Sequence, residues 1–248
     1  MNRDKRHEAL VIRRKAEGPL VAVIAAMDME IRLLEEQLMA EQVYEEAGQV
    51  LRHGVIGGCD VVLVTCGVGP VNAALVTQLV CTVFKPEVLI NTGIAGALDP
   101  HLQQLDLVAG TDACYHDVGE ENLDLYTRGY RRFRSDRRLL DLVQEACPPG
   151  ATLRLGGLAS GNNFIASGSD KDRIYREIGA LAVDMESAAI AQTAVLNAVP
   201  MLSLRAVSDM ADDEAELTYE QLKPLACALS AETVLTLIPL IRPVFMMD

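Results

Sequence analysis

The chain has 248 residues, a net charge of −13, and hydrophobic residues at half of its positions, enough for one large α/β domain with a full core. So acidic an average surface repels the phosphates of nucleic acid and excludes it as a partner. No apolar run reads as long enough to cross a bilayer, so a membrane is excluded too, and a cytoplasmic protein is expected.

The opening segment 1–18 carries Arg3, Lys5, Arg6, Arg13, Arg14 and Lys15 without the continuous apolar core of a secretory signal. It is expected to be a poorly ordered basic extension ahead of a single domain over 19–248. Leu20 to Ala26 is a continuous apolar run, typical of a strand buried on both faces. Met27 to Met39 follows with Ile31, Leu33, Leu34 and Leu38 at spacings close to helical. Gln49 to Val55 and Cys59 to Thr65 flank Gly57 and Gly58 as a hairpin. Gly67 and Gly69 then precede a helix over Val71 to Phe84, and Val88 to Thr92 is a further buried strand.

Leu105 to His116 mixes strand residues with Gly110, Asp136 to Cys147 reads as helix, and Leu153 to Ser160 as strand. Ser169 can cap a helix running to Ile178. Leu181 to Asp184 is short and apolar, Met185 to Asn197 helical and Pro200 to Val207 a strand. Thr218 and Gln221 have capping-box spacing for a long last helix. Strands alternating with helices predict a largely parallel sheet covered on both faces.

The usual chemical signatures are missing. Gly67 and Gly69 have Asn72 where a dinucleotide fingerprint needs its third glycine. No GxSxG nucleophile elbow is present. Cys59, Cys66, Cys81, Cys114, Cys147 and Cys227 form no CxxC pair, and the four histidines have no ligand spacing, so neither a disulfide framework nor a metal is expected. What remains is a carboxylate at each of three strand exits: Glu30, Glu186 and Asp209. Ligands of open α/β sheets bind outside such ends. Each acid also has a plain structural reading, Glu30 as a first-turn acid on a helix dipole, Glu186 as a helix-start residue, and Asp209 as a turn former.

Six motifs bear on that choice: Ala26-Met27-Asp28-Met29-Glu30, Asn91-Thr92-Gly93-Ile94-Ala95-Gly96, Tyr115-His116-Asp117, Ser160-Gly161-Asn162-Asn163-Phe164-Ile165, Val183-Asp184-Met185-Glu186 and Arg205-Ala206-Val207-Ser208-Asp209. In this order and spacing the chain resembles the 5′-methylthioadenosine/S-adenosylhomocysteine nucleosidases from about Val21 to the final helix. The resemblance implies a nucleoside phosphorylase-like fold, a three-layer α/β/α sandwich around a mixed, largely parallel twisted sheet. It also implies a homodimer that needs neither metal nor organic cofactor and cleaves an N-glycosidic bond to release adenine.

By the same resemblance, Asp209 donates a proton to the purine, Glu30 stays ionised and activates water, and Arg205 helps to position that water. Glu186 receives the ribose hydroxyls, Met185 packs on the sugar, Phe164 stacks on the base and the Ile165 backbone reads its edge. Ile94, Ala95, Gly96 and Ser208 line the substrate, and Val68 lines the pocket for the 5′ substituent. A futalosine-type hydrolase would share almost every motif; a phosphorylase of the same fold and a silent nucleoside-binding protein are more distant alternatives.

Two departures from the family pattern stand out. Ile94 replaces the family's usual serine and removes a hydroxyl near the water or sugar. The segment after Asp117 is shorter than the family's and is replaced by Leu123 to Arg138, with Arg128, Arg131, Arg132, Arg134, Arg137 and Arg138 among three aromatics. This cluster is either a solvated loop leading into a helix or a partner for an anionic 5′ group, which suits arginine.

Overall fold

The computed structural model describes residues 12–246, apart from the side chains of residues 217 and 218. In chain order the elements are β1 (Leu20–Ala25), α1 (Asp28–Gln37), β2 (Met39–Glu46), β3 (Gln49–Ile56), β4 (Cys59–Thr65), α2 (Pro70–Val83), β5 (Val88–Ala97), β6 (Leu107–Tyr115), α3 (Glu120–Thr127), β7 (Phe133–Arg134), α4 (Arg137–Ala146), β8 (Leu153–Ser160), α5 (Gly168–Ile178), β9 (Ala182–Asp184), α6 (Ser187–Leu196), β10 (Met201–Asp209) and α7 (Ala215–Phe245). All ten strands join one sheet, in the order β10-β6-β8-β9-β5-β1-β4-β3-β2 with β7 on β6. The sheet is mixed: β1–β4, β1–β5, β5–β10, β6–β8 and β8–β9 pair in parallel, and the other ladders are antiparallel.

The sheet also closes on itself. β10 pairs in parallel with β5 from Met201–Leu89 to Asp209–Gly96, and antiparallel with β6. β6 runs beside β8, β8 beside β9, and β9 returns to β5 at Gly96 and Ala97. This ring of five strands brings the ends of β5, β8, β9 and β10 together. β1, which pairs in parallel with β5 and β4, delivers its own end to the same side.

Helices cover both faces, giving three layers. On one face α2 and α6 pack through Ala73, Val76, Val80, Ala188, Ala191 and Ala194 onto alternate residues of β1, such as Leu20, Ala22 and Ile24. On the other, α1, α4 and α7 cover Val21, Val23 and Ala25. β1 is therefore buried on both faces, as its unbroken apolar run predicts. Each fully buried Leu or Ile in these layers contributes roughly 1.5–3 kcal/mol.

The structure differs from the sequence reading at several elements. β2 is an unforeseen edge strand whose residues are exposed except Tyr44, so it carries no apolar alternation to reveal it. α3 runs into the arginine-rich segment and β7 lies within it. β5 continues five residues past Thr92, through the glycines, to Ala97, and β10 carries Ser208 and Asp209 as its last residues. The helix expected from Met185 begins at Ser187, with Glu186 at its cap position.

α7 corrects the expectation about apolar length. Its residues Tyr219–Phe245 are long and apolar enough to span a membrane by length and composition, with a mean hydropathy of 1.7 over the most apolar window. Half of that window is buried inside the protein, because Ala226, Cys227, Ala231, Val234, Leu237, Ile238 and Ile241 face the sheet. The helix begins at Ala215, and the Thr218 side chain invoked for a capping box lies outside the described residues. Gly57 and Gly58, with φ of 57° and 79°, turn β3 into β4 so closely under α7 that a Cβ on Gly57 would lie 2.8 Å from Pro239.

Of the basic extension, residues 1–11 lie outside the described residues. From residue 12 the chain runs along the sheet: the Lys15 N–H donates to Asp60 at 3.2 Å, and Arg14 pairs with Glu87 at 2.5 Å.

Candidate active site

The three strand-exit acids converge. One pocket is lined by Glu30, Glu186 and Asp209 together with Ala26, Met27, Val68, Ile94, Ala95, Gly96, Phe164, Val183, Asp184, Met185, Ser208 and Tyr219. A smaller adjoining hollow adds Asn163 and Ile165 and shares Gly96, Phe164, Met185 and Asp209. Every site residue expected from the sequence is therefore at this place except Arg205, which is fully buried behind the pocket wall. No Lys or Arg lines either hollow among the described residues.

Glu30 sits in the first turn of α1 and folds back over the end of β1. Its Oε2 accepts the N–H groups of Ala26 and Met27 at 2.9 and 2.8 Å, and its Oε1 accepts the Ile94 N–H at 3.1 Å. The backbone at position 94 thus holds the acid although the serine hydroxyl is gone. Burial pushes the Glu30 pKa above the ordinary carboxylate value, against the lowering pull of Arg205 and these three donors.

Asp209 ends β10 beside Gly96. Its Oδ1 accepts the Ala211 N–H at 2.9 Å and its Oδ2 the Ser208 hydroxyl at 2.8 Å. Burial raises its pKa in spite of both bonds, which favours the protonated acid. Glu186 precedes α6. Its Oε1 accepts the Gly69 N–H at 2.9 Å, at the start of α2, so the Gly67-Val68-Gly69 turn serves a carboxylate rather than a dinucleotide. Burial, then the Asp184 charge, push the Glu186 carboxyl up to about 7.

Behind the pocket Arg205 fills space that Gly93 leaves open. Its Nε and Nη2 both reach Asp184 Oδ2 at 2.7 Å, Nη1 donates to the Thr92 carbonyl at 3.1 Å, and Nη2 lies 3.7 Å from Glu186 Oε2. A Cβ on Gly93 would collide with both Arg205 Nη1 and Glu30 Oε1, and one on Gly96 would lie 2.8 Å from Asp209 Oδ1. The pocket's aromatic wall is equally tied. Asp117 accepts the backbone and side-chain N–H groups of Asn162 at 2.8 and 2.7 Å, fixing the loop that carries Phe164 and Ile165. Phe164 meets Tyr219 of α7 edge to face at 5.4 Å.

A model of the Phosphorylase superfamily matches residues 20–239. A 5′-methylthioadenosine/S-adenosylhomocysteine nucleosidase of Staphylococcus aureus (strain JH9) is 34% identical over 230 residues, 88% of this chain and 99% of that relative. The chain belongs to this nucleosidase family. Among solved structures, the nucleosidase of Neisseria meningitidis in complex with methylthio-immucillin-A superimposes with a TM-score of 0.85 at 33% identity, covering 89% of this chain and 99% of that one. A futalosine hydrolase of Helicobacter pylori gives a TM-score of 0.83 at 25% identity, covering 89% and 97%.

Against that family background, Tyr219, Gly69 and Asp184 are among the site residues to which the sequence assigns no role. Tyr219 lies ten residues past Asp209 on a helix, where no periodic signal separates a pocket face from a core face. Gly69 was legible only as part of an incomplete fingerprint. Asp184 stood inside a recognised motif, next to Met185 and Glu186, without a role. The arginine-rich segment, in contrast, lies apart from this pocket: Arg131 and Arg132 line a separate cavity with Tyr115 and His116. There Arg131 pairs with Glu120 at 2.9 Å and Arg132 with Asp112 at 2.7 Å.

Proposed function

We propose that this protein hydrolyses the N-glycosidic bond of 5′-methylthioadenosine, S-adenosylhomocysteine or both, releasing adenine and the 5-thioribose derivative. The observation that carries the reading is the placement of Glu30, just past β1, and Asp209, at the end of β10, in one pocket, with Glu186 lining the same pocket. Glycosidic cleavage needs an acid at the leaving group and a base at the water on either side of an oxocarbenium-like sugar.

In this reading Asp209 holds a proton and donates it to the adenine ring. Glu30 takes the proton of the attacking water; a raised pKa makes it a stronger base, at the cost of a higher pH for full ionisation. Glu186 accepts hydrogen bonds from the ribose hydroxyls and Met185 packs on the sugar. Phe164 stacks on the base, Ile165 reads its edge from the adjoining hollow, and Val68 borders the 5′ substituent. Ile94, Ala95, Gly96 and Ser208 complete the wall. Arg205 contributes to water placement by fixing the carboxylates around it.

Water is favoured over phosphate as the nucleophile because carboxylates line the pocket and its cation is already engaged by acids. The active form is a single domain over 19–248, assembled as a homodimer in the cytoplasm. The likeness to a futalosine hydrolase supports a second reading, in which a futalosine-type nucleoside is the substrate.

A product assay separates these readings. Purified protein is given methylthioadenosine, S-adenosylhomocysteine and aminodeoxyfutalosine with and without phosphate. Release of free adenine and free sugar from the thio-nucleosides, independent of phosphate, is expected. Sugar phosphate as product, or turnover of aminodeoxyfutalosine alone, would overturn the first reading.

A further inference from the structure

Asp184 is the most heavily bonded carboxylate of the site and has no part in the chemistry outlined so far. Its Oδ1 accepts the Ser160 hydroxyl at 2.5 Å and the Ser187 N–H at 3.2 Å; its Oδ2 accepts the Ser187 hydroxyl and Arg205 Nε. Ser187 in turn is shared, since Arg205 Nη2 donates to the same hydroxyl at 3.3 Å. Both carboxylate oxygens therefore take charge-assisted or hydroxyl bonds. One full edge of the Arg205 guanidinium is committed to it. The Nη1 corner is then left between the Thr92 carbonyl and Glu30, across the bare Cα of Gly93.

We propose that Asp184 is a positioning residue for the hydrolysis, acting through Arg205: it turns the guanidinium so that Nη1 faces Glu30, and it neutralises the cation that would otherwise bind the charges of Glu30 and Glu186. The inference rests on the nucleosidase reading above. Its consequence is chemical. With Arg205 matched by Asp184, its lowering pull leaves burial the larger influence on Glu30 and Glu186, and both have raised pKa values. Glu30 then stays basic enough to accept a proton from water near neutral pH. Freed from Asp184, Arg205 would stabilise both anions and weaken the base.

The groups facing this cluster come from every neighbouring element. Glu30 on α1 faces Arg205, with Cys66 after β4 and Tyr219 and Cys227 on α7 nearby. Glu186 faces Asp184, Arg205 and Glu30. His116 after β6 faces Asp184.

The test is the pH profile of Asp184→Asn, which keeps the shape and removes the charge. For methylthioadenosine the maximal kcat is expected to fall at least tenfold, and the acidic limb of kcat/KM to move down by about one pH unit, because Arg205 now favours ionised Glu30. A rate lowered equally at all pH values with the limb unmoved would mark Asp184 as merely structural and overturn the proposal, as would an unchanged profile.

Ser187→Ala keeps every charge and removes the hydroxyl that Asp184 and Arg205 share. It decides the matter should the Asn variant not fold. A several-fold lower kcat at unchanged KM supports the positioning role; wild-type kcat overturns it. If wild-type protein releases no adenine, the nucleosidase reading fails and takes this inference with it. Wild-type turnover with an unshifted variant profile overturns the inference alone.

Discussion

Glu186→Gln is expected to make the protein more stable at alkaline pH while crippling it. The substitution keeps an oxygen for the Gly69 N–H and removes a charge that is buried beside Asp184. A carboxyl that binds its proton more tightly folded than unfolded supports the native state fully below its unfolded pKa, and that support is lost as pH rises through the folded one. For Glu186 the window runs from 4.5 to about 7, worth about 3 kcal/mol at roughly 1.4 kcal/mol per pH unit. In a chain of this size that corresponds to roughly 6–12 °C in Tm.

Thermal unfolding of both proteins at pH 5 and pH 8 measures it. The Gln variant should gain on wild type between the two pH values by about that margin. Its kcat/KM should fall about 10- to 100-fold, the worth of a hydrogen bond to a charged group. A stability difference that is the same at both pH values, or that favours wild type at pH 8, would refute the argument that burial rather than Arg205 governs this carboxyl.

Other outcomes follow from the same geometry. Asp209→Asn should lower kcat by about 10²–10⁴ while nucleoside binding, read by calorimetry, persists; loss of binding instead would make Asp209 a structural residue. The kcat/KM profile should be bell-shaped, falling at low pH as Glu30 gains a proton and at high pH as Asp209 loses one, with each limb displaced upward because burial raises both pKa values. Glu30→Gln should abolish turnover and leave adenine binding intact. Gly93→Ala should lose both activity and several degrees of Tm, because the added methyl meets two buried charged groups held by their own bonds; a wild-type melting curve would show that the Arg205 and Glu30 positions are soft.

The site was more legible than the fold that assembles it. Glu30, Glu186 and Asp209 could be singled out because each follows an apolar run, a pattern that survives errors of a residue or two in strand ends. Their convergence could not be read that way. It depends on β10 pairing with β5 and β6 at once, and on a β9 of three residues, and strand order leaves no periodic trace in sequence. Edge strand β2 escaped because exposure on both faces erases alternation. Asp209 was expected just past its strand but forms its last residue, since the ladder to Gly96 carries regular pairing beyond the last apolar side chain. Arg205 read as a pocket residue, yet a buried arginine is visible only with the carboxylates that surround it.

Gly93 and Gly96 contribute nothing that an assay of functional groups would detect, yet the arginine and two acids occupy the volume these residues decline to fill. Grafting Glu30, Glu186, Arg205 and Asp209 onto another α/β scaffold would therefore transfer the reagents without the mould. Such a transplant would need a strand with two vacancies three residues apart before Arg205, Glu30 and Asp209 could take their places.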